Sequence, residues 1–268
     1  MIKEKVIISG DVIEIWKYEN PIYSDIINRS SGFPEDIVTD DVVEGVKCSS
    51  SLRRARFKIR QYIWSNLTPY TKLITLTYAE TCLDVDKVLY DIKQFFKKLK
   101  RKMDYDPKYI WVLEHQVERG LKEGNAGSLH PHIVLFNVEK ISLDILNSCW
   151  PHGRTDIHIL DGCRLSDQEM IKNAAAYLSK YISKENLLEF NKNAYHLSRN
   201  LIKPVETGVY YQRYIDKNGC IKYIFDDFDS LNLPEYNISY KKAYTINYPV
   251  GSSVVSNGCL YIQGKIKK

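Results

Sequence analysis

Polar and hydrophobic residues alternate along several short segments, a pattern typical of strands because successive strand side chains point to opposite faces. The clearest case is 72–78 (KLITLTY), in which Leu73, Thr75 and Thr77 share one face. Similar segments predict strands over 109–117, 129–136 and 155–160, and the chain is strand-like and rich in tyrosine from 195 onward.

Apolar residues that recur every three or four positions predict three helices, over 52–66, 84–101 and 143–149. A fourth is predicted to end near 184, after the capping signature Ser166-x-x-Glu169. From residue 72 the order is therefore β-α-β-β-α-β-α. This order favours an α+β fold of the ferredoxin-like class, with a central antiparallel sheet and helices on one face.

The chain of 268 residues is 44% hydrophobic, which is enough for one large domain or two small ones. Its net charge is only +5, but the basic residues are clustered in 51–60 and 93–102, which contain no acid. Such clusters attract nucleic-acid phosphates or simply form solvated helix faces. In the first cluster, Arg53, Arg54 and Arg56 are the candidate DNA contacts.

The six cysteines are scattered and form neither a zinc-ribbon spacing nor a disulfide framework. No segment has the apolar run of a signal peptide or a membrane span, so we expect a cytoplasmic protein with reduced thiols and no membrane partner. The sequence also lacks a phosphate-binding loop of the ATPase type. Residues 1–45 are mixed and carry an acidic patch, which suggests a linker or a lid.

Two histidines, His130 and His132, lie in the predicted strand LHPHIVLF and therefore share a face, about 7 Å apart. If this strand pairs with its predecessor, Glu114 lies across from His132, with Gln116 as the fallback ligand. Two imidazoles and a carboxylate would suit Mn²⁺ or Mg²⁺, and zinc is also chemically possible. The alternative is an ordinary polar surface strand.

The stretch AAAYLSKYISK contains the pattern Tyr-x-x-Lys twice, as Tyr177 with Lys180 and Tyr181 with Lys184. On a helix, these four side chains fall within an arc of about 100°. A phenol is a poor nucleophile at neutral pH, but a metal and an ammonium near the phosphate lower the cost of its attack. The alternative is a pair of tyrosines that only pack against a sheet edge.

Taken together, these motifs resemble the HUH endonuclease superfamily, specifically the two-tyrosine initiators of rolling-circle replication in Gram-positive plasmids and single-stranded DNA phages. The resemblance covers about 48–206 and rests on TLT, on LHPHIVLF with the upstream Glu114, and on YLSKYISK. Similar to one branch are Trp150-x-x-Gly153 and the segment SRNLIKP, which contains Arg199 and Lys203.

The resemblance implies an HUH nuclease domain over 48–206, between an N-terminal extension (1–47) and a β-rich C-terminal extension (207–268). It implies a metal-dependent nickase that forms a 5′-phosphotyrosine at a replication origin and needs no small-molecule cofactor. Arg199 and Lys203 would contact DNA, and a host helicase and polymerase would be partners. A two-tyrosine transposase and a non-catalytic RRM-like nucleic-acid-binding module are the alternatives.

Overall fold

A computed structural model describes residues 2–22, 50–116, 127–159, 178, 195–215, 221–225, 233–250 and 253–267. The chain divides into two compact units. One unit is formed by Lys47–Ile202, and the other combines Met1–Val46 with Lys203–Lys268. The N-terminal and C-terminal segments of the chain thus belong to the same unit.

The unit of residues 47–202 is built on a five-stranded antiparallel sheet with the strand order β6-β3-β5-β4-β7. The elements in chain order are α1 (Ser50–Asn66), β3 (Lys72–Tyr78), α2 (Val85–Met103), β4 (Lys108–His115), β5 (Leu129–Phe136), α3 (Leu143–Cys149), β6 (Gly153–Ile159) and β7 (His196–Leu197). The predicted α+β class with a central antiparallel sheet is confirmed.

Both faces of this sheet are covered, which corrects the expectation that the helices lie on one face. Helices α2 and α3 pack on one face, where Phe95 and Leu146 join Ile133 in a buried cluster. Helix α1 packs on the other face, where Ile59 and Ile63 meet a second set of strand residues. That set comprises Leu73, Ile110, Val112, Val134 and Phe136.

Helix α2 has well-formed ends, which explains its sharp boundaries. The Asp84 side chain accepts a hydrogen bond from the backbone N–H of Lys87, satisfying one donor of the first turn. At the other end, Asp104 adopts the left-handed conformation with a φ of 57° and donates its N–H to the carbonyl of Lys100. These caps fix the helix whose aromatic residues fill the core.

The second unit is a six-stranded antiparallel sheet with the strand order β10-β11-β2-β1-β8-β9. Its strands are β1 (Ile2–Ser9), β2 (Val12–Ile22), β8 (Val205–Ile215), β9 (Ile221–Phe225), β10 (Tyr236–Val250) and β11 (Ser253–Ile266). The expectation of a linker or lid over 1–45 is therefore wrong for its first 22 residues. The acidic patch lies outside the described residues.

A tight hairpin joins β1 to β2 and accounts for this unit's N-terminal half. Ser9 pairs with Val12, so only Gly10 and Asp11 form the turn. Gly10 has a φ of 58°, which glycine adopts without steric cost and which suits a two-residue hairpin. The hairpin lets the apolar residues on both sides of the turn pair and enter one core.

Candidate metal and tyrosine site

Strand β5 holds His130 and His132 on one face of the central sheet, where each ring contacts a threonine of β3. The Nδ1 atom of His132 lies 3.1 Å from Oγ1 of Thr75, its partner in the β3–β5 register. The Nδ1 atom of His130 lies 3.2 Å from Oγ1 of Thr77. Both imidazoles are buried. The two threonines therefore fix the orientation of the rings.

Glu114, on β4, completes the group through a diagonal contact. It pairs with His130 in the strand register, so the prediction that it lies directly across from His132 is wrong by one position on the face. Its Oε2 atom nevertheless lies 2.7 Å from Nε2 of His132, because diagonal neighbours on one face are within reach of long side chains. Gln116, the fallback ligand, donates from Nε2 to the same oxygen over 3.3 Å.

The Glu114 carboxylate is held in its charged form. Burial alone would raise its pKa, but the hydrogen bond and charge of His132, with smaller contributions from Gln116 and His130, bring the pKa below its ordinary value. A carboxylate that stays ionised in a half-buried site is a ready ligand for a cation. It also balances positive charge on the neighbouring imidazole.

The donor set fits a divalent cation, although it is not drawn together as a formed centre. Among the described residues, no three His, Cys, Asp or Glu side chains have the spacing of a metal site. Neighbouring ligands of an octahedral ion stand roughly 3 Å apart, so the 2.7 Å contact of Glu114 with His132 needs only a small separation to admit one. If each Nδ1–H donates to its threonine, Nε2 becomes the ligand atom, as in metal-bound histidines generally.

Helix α1 and Leu178 cover the sheet face that carries these histidines. Leu178 is fully buried in the cluster formed by Ile59, Ile63 and the strand residues on that face, which include Val112 and Val134. Leu178 directly follows Tyr177 in the sequence. The described part of the tyrosine-bearing segment is thus anchored on the histidine face.

The predicted catalytic residues Tyr177, Lys180, Tyr181 and Lys184 lie outside the described residues. Their roles therefore stay predictions. What the structure adds is the position of Leu178, whose burial is described above.

Trp150 and Gly153, the two residues of the Trp-x-x-Gly motif, both contact the end of β3 next to the site. Trp150 Nε1 donates to the carbonyl of Thr77 over 3.0 Å. A Cβ atom on Gly153 would lie 2.3 Å from that same carbonyl oxygen, so only glycine fits there. The motif thus fixes the backbone of Thr77, whose side chain orients His130.

The roles of Thr75 and Thr77 as ring partners were missed by the sequence analysis. The alternation in KLITLTY had placed both threonines on one face, and the same reasoning had placed both histidines on one face of another strand. Pairing the two strands would have suggested the contacts. The missing information was that β3 and β5 are neighbours, because 50 residues separate them in the sequence.

The predicted DNA contacts are spread over several places. Arg54 and Arg56 are half-buried on α1, which covers the histidine face, while the side chain of Arg53 lies outside the described part of the chain. Arg199 and Lys203 are exposed. In the described part of α1, the Arg60 guanidinium also stacks over the rings of Phe57 and Trp64, at 4.2 and 4.7 Å from their centroids.

No helix in the described ranges has the length and apolar character to cross a membrane. The cysteines among the described residues, Cys82, Cys149 and Cys259, are buried and reduced.

Comparison with known proteins gave one match to a protein family. The model of a family of replication-associated proteins, described by the name ORF2, matches residues 71–186. No curated protein and no solved structure matches the chain. The matched segment includes β3, the histidine strand β5 and the sequence of the tandem tyrosines. The match supports a replication initiator.

Proposed function

We propose that the chain is a rolling-circle replication initiator that nicks one DNA strand at an origin and remains linked to its 5′ end through a tyrosine. The observation that carries the proposal is the group of His130, His132 and Glu114 on one sheet face, oriented by Thr75 and Thr77. Its location within a segment that matches replication-associated proteins supports the same function.

In the proposed site, Nε2 of each histidine and the Glu114 carboxylate would hold Mg²⁺ or Mn²⁺. When bound, such a cation polarises the scissile phosphate and stabilises the charge that develops on it during attack. The threonines hold the imidazoles in the required tautomer, and Gln116 steadies the carboxylate. These contacts reduce the reorganisation needed when DNA arrives.

The transfer step would be carried out by Tyr177 or Tyr181. The phenolic oxygen attacks phosphorus, the bond from phosphorus to O3′ breaks, and the phenolic proton passes to the leaving O3′. The products are a 5′-phosphotyrosine and a free 3′-OH, so the phosphodiester energy is retained for rejoining. Lys180 or Lys184 would steady the phenolate or the phosphate.

Two tyrosines would allow one to attack a second junction while the other still holds the first strand. The burial of Leu178 on the histidine face supports a tyrosine segment that lies across the site. A host polymerase would extend the 3′-OH. A host helicase would unwind the duplex, because the chain has no ATPase loop of its own.

Cleavage of single-stranded DNA from the protein's own replicon tests this proposal. With Mg²⁺ or Mn²⁺ we expect one cut site, loss of cleavage in EDTA, and recovery when the cation is restored. His130→Ala should abolish cleavage. His115→Ala is the matched control, because His115 lies on β4 beside Glu114 but on the opposite side of the strand. Cleavage that persists in EDTA would refute the metal site.

A further inference from the structure

A second cavity lies on the face of the central sheet opposite His130 and His132. It has a volume of about 550 Å³ and lies between α2 and the segment that contains β7 and residues 198–200. This volume is in the range of small-ligand sites in proteins. Its lining combines flat rings with cations, chiefly Phe96, Tyr109, Trp111, His196, Lys93 and Lys97.

The aromatic side chains form two stacked pairs in the wall of this cavity. The rings of Trp111 and His196 are 4.0 Å apart and inclined by 7°. Those of Phe96 and Tyr109 are 3.5 Å apart and inclined by 10°. Burial lowers the pKa of His196, so at neutral pH its imidazole is an uncharged flat ring. The wall therefore resembles the stacked surfaces on which unpaired bases rest.

Cations border the rings on one side of α2. Lys93, Lys97 and Lys100 follow each other at helical spacing and are exposed. Lys100 is paired with Asp106 over 2.5 Å, but no carboxylate of the described residues lies within 4 Å of the Lys93 or Lys97 ammonium. Arg199 is exposed on the opposite border. This part of the surface thus offers positive charge beside stacked rings.

The wall contributed by residues 196–200 is fastened in place. Tyr109 accepts a hydrogen bond from the Ser198 N–H and donates its own N–H to Ser198 Oγ, both over 3.0 Å. Asn200 donates to the carbonyl of Asp106 over 3.0 Å. Ser198 and Asn200 therefore hold the segment, while the Arg199 side chain between them stays exposed. A preformed wall lowers the entropy lost when a ligand binds.

We propose that this cavity binds single-stranded DNA, with bases resting on the aromatic wall and phosphates held by Lys93, Lys97 and Arg199. A single strand is required because in a duplex the base faces are covered by neighbouring pairs. Trp111 lies three residues from Glu114 on β4, about 10 Å along the strand. The source of the DNA rests on the proposed function: it is the strand on one side of the cut, passing around the edge strand β7.

The binding test uses the full chain and a fluorescent single-stranded (dT)12, which lacks any origin sequence. In Lys93→Gln/Lys97→Gln, we expect affinity to fall about tenfold, and the slope of log K against log salt to flatten by about 1.4, the value for two lost phosphate contacts. Lys98→Gln/Lys102→Gln removes the same charge from residues of α2 outside the cavity and should change neither quantity. Equal effects of the two double variants would overturn the proposal.

Photocrosslinking locates the bound strand. With (dT)12 carrying 5-iodouracil, the crosslinks should map to peptides containing Tyr109, Trp111 or His196, and should weaken in Lys93→Gln/Lys97→Gln alone. Crosslinks confined to other peptides, or competition by a polyglutamate of equal charge as strong as that by (dT)12, would contradict the assignment.

The two proposals can fail separately. Origin cleavage without crosslinks at the cavity would reject only the DNA cavity. Crosslinks at the cavity in a protein that never cleaves its origin would reject the nicking function and keep the cavity.

Discussion

Thr75 Oγ1 lies 3.1 Å from Nδ1 of His132, on the side of the ring away from the atom that contacts Glu114. This contact links a neutral residue of one strand to the chemistry of a histidine on the next. Because it engages Nδ1, it favours the tautomer whose Nε2 is available to a cation. Thr77 stands in the same relation to His130. The threonines are therefore part of the proposed metal site, although they would not touch the metal.

Replacing Thr75 or Thr77 by valine should weaken Mn²⁺ binding by about 10- to 100-fold, because the ring loses the partner that fixes its tautomer. Isothermal titration with Mn²⁺ measures the effect. Thr155→Val is the control, since Thr155 is buried and donates to Asn147 over 2.6 Å on another strand, away from the histidines. Unchanged affinity in both threonine variants would show that the contacts do not orient the ligands.

Gly153→Ala should displace the end of β3, because its Cβ would lie 2.3 Å from the Thr77 carbonyl oxygen. We expect a loss of about 1–3 kcal/mol in the free energy of unfolding, and also weaker Mn²⁺ binding, as Thr77 moves relative to His130. Urea unfolding and metal titration measure the two effects.

Leu146→Ala serves as the comparison for Gly153→Ala. Leu146 is fully buried against α2, so its truncation should cost about 2–5 kcal/mol while Mn²⁺ affinity stays near that of the wild type. If the two variants lose metal affinity in proportion to their lost stability, Gly153 has no separate positioning role.

Asp91 should make stability depend on pH in the acid range. Burial favours its neutral form, but the hydrogen bonds from Lys87 and Tyr78, over 2.8 and 2.9 Å, and the charge of His152 bring its pKa below the ordinary value. A lowered carboxyl pKa stabilises the fold above the unfolded-state pKa of about 4. That contribution is lost as the pH falls through the lower folded-state value.

Asp91→Asn should therefore lower the unfolding free energy by about 1–3 kcal/mol at pH 7, with a difference from the wild type that shrinks below about pH 4. Thermal unfolding from pH 7 to pH 3 measures this. Glu139→Gln, at an exposed position, should follow the wild type throughout. A difference between Asp91→Asn and the wild type that stays constant with pH would contradict the role assigned to the charge.

Much of the central sheet could be predicted from local pattern alone. The bounds of β3, β5 and α3 agree with the prediction to the residue, because alternation and helical spacing are local signals. The same alternation correctly placed His130 and His132 on one face.

Relationships between distant segments could not be predicted in this way. The register of Glu114 depends on the length and shape of the turn before β5, which periodicity does not encode. Likewise, the apolar stripe of α1 shows that it packs, but not against which face of the sheet. Strands β1 and β2 were missed although Gly10-Asp11 between apolar runs is a hairpin signal, and their partners β8 and β11 lie about 200 residues away.

The most direct test of the central claim is mass spectrometry of the covalent DNA adduct after incubation with single-stranded origin DNA and Mn²⁺. The account predicts a nucleotide phosphodiester on Tyr177 or Tyr181, its absence in EDTA and in His132→Ala, and no adduct in Tyr177→Phe/Tyr181→Phe. An adduct that persists in the double phenylalanine variant, or that maps to a different residue, would contradict it.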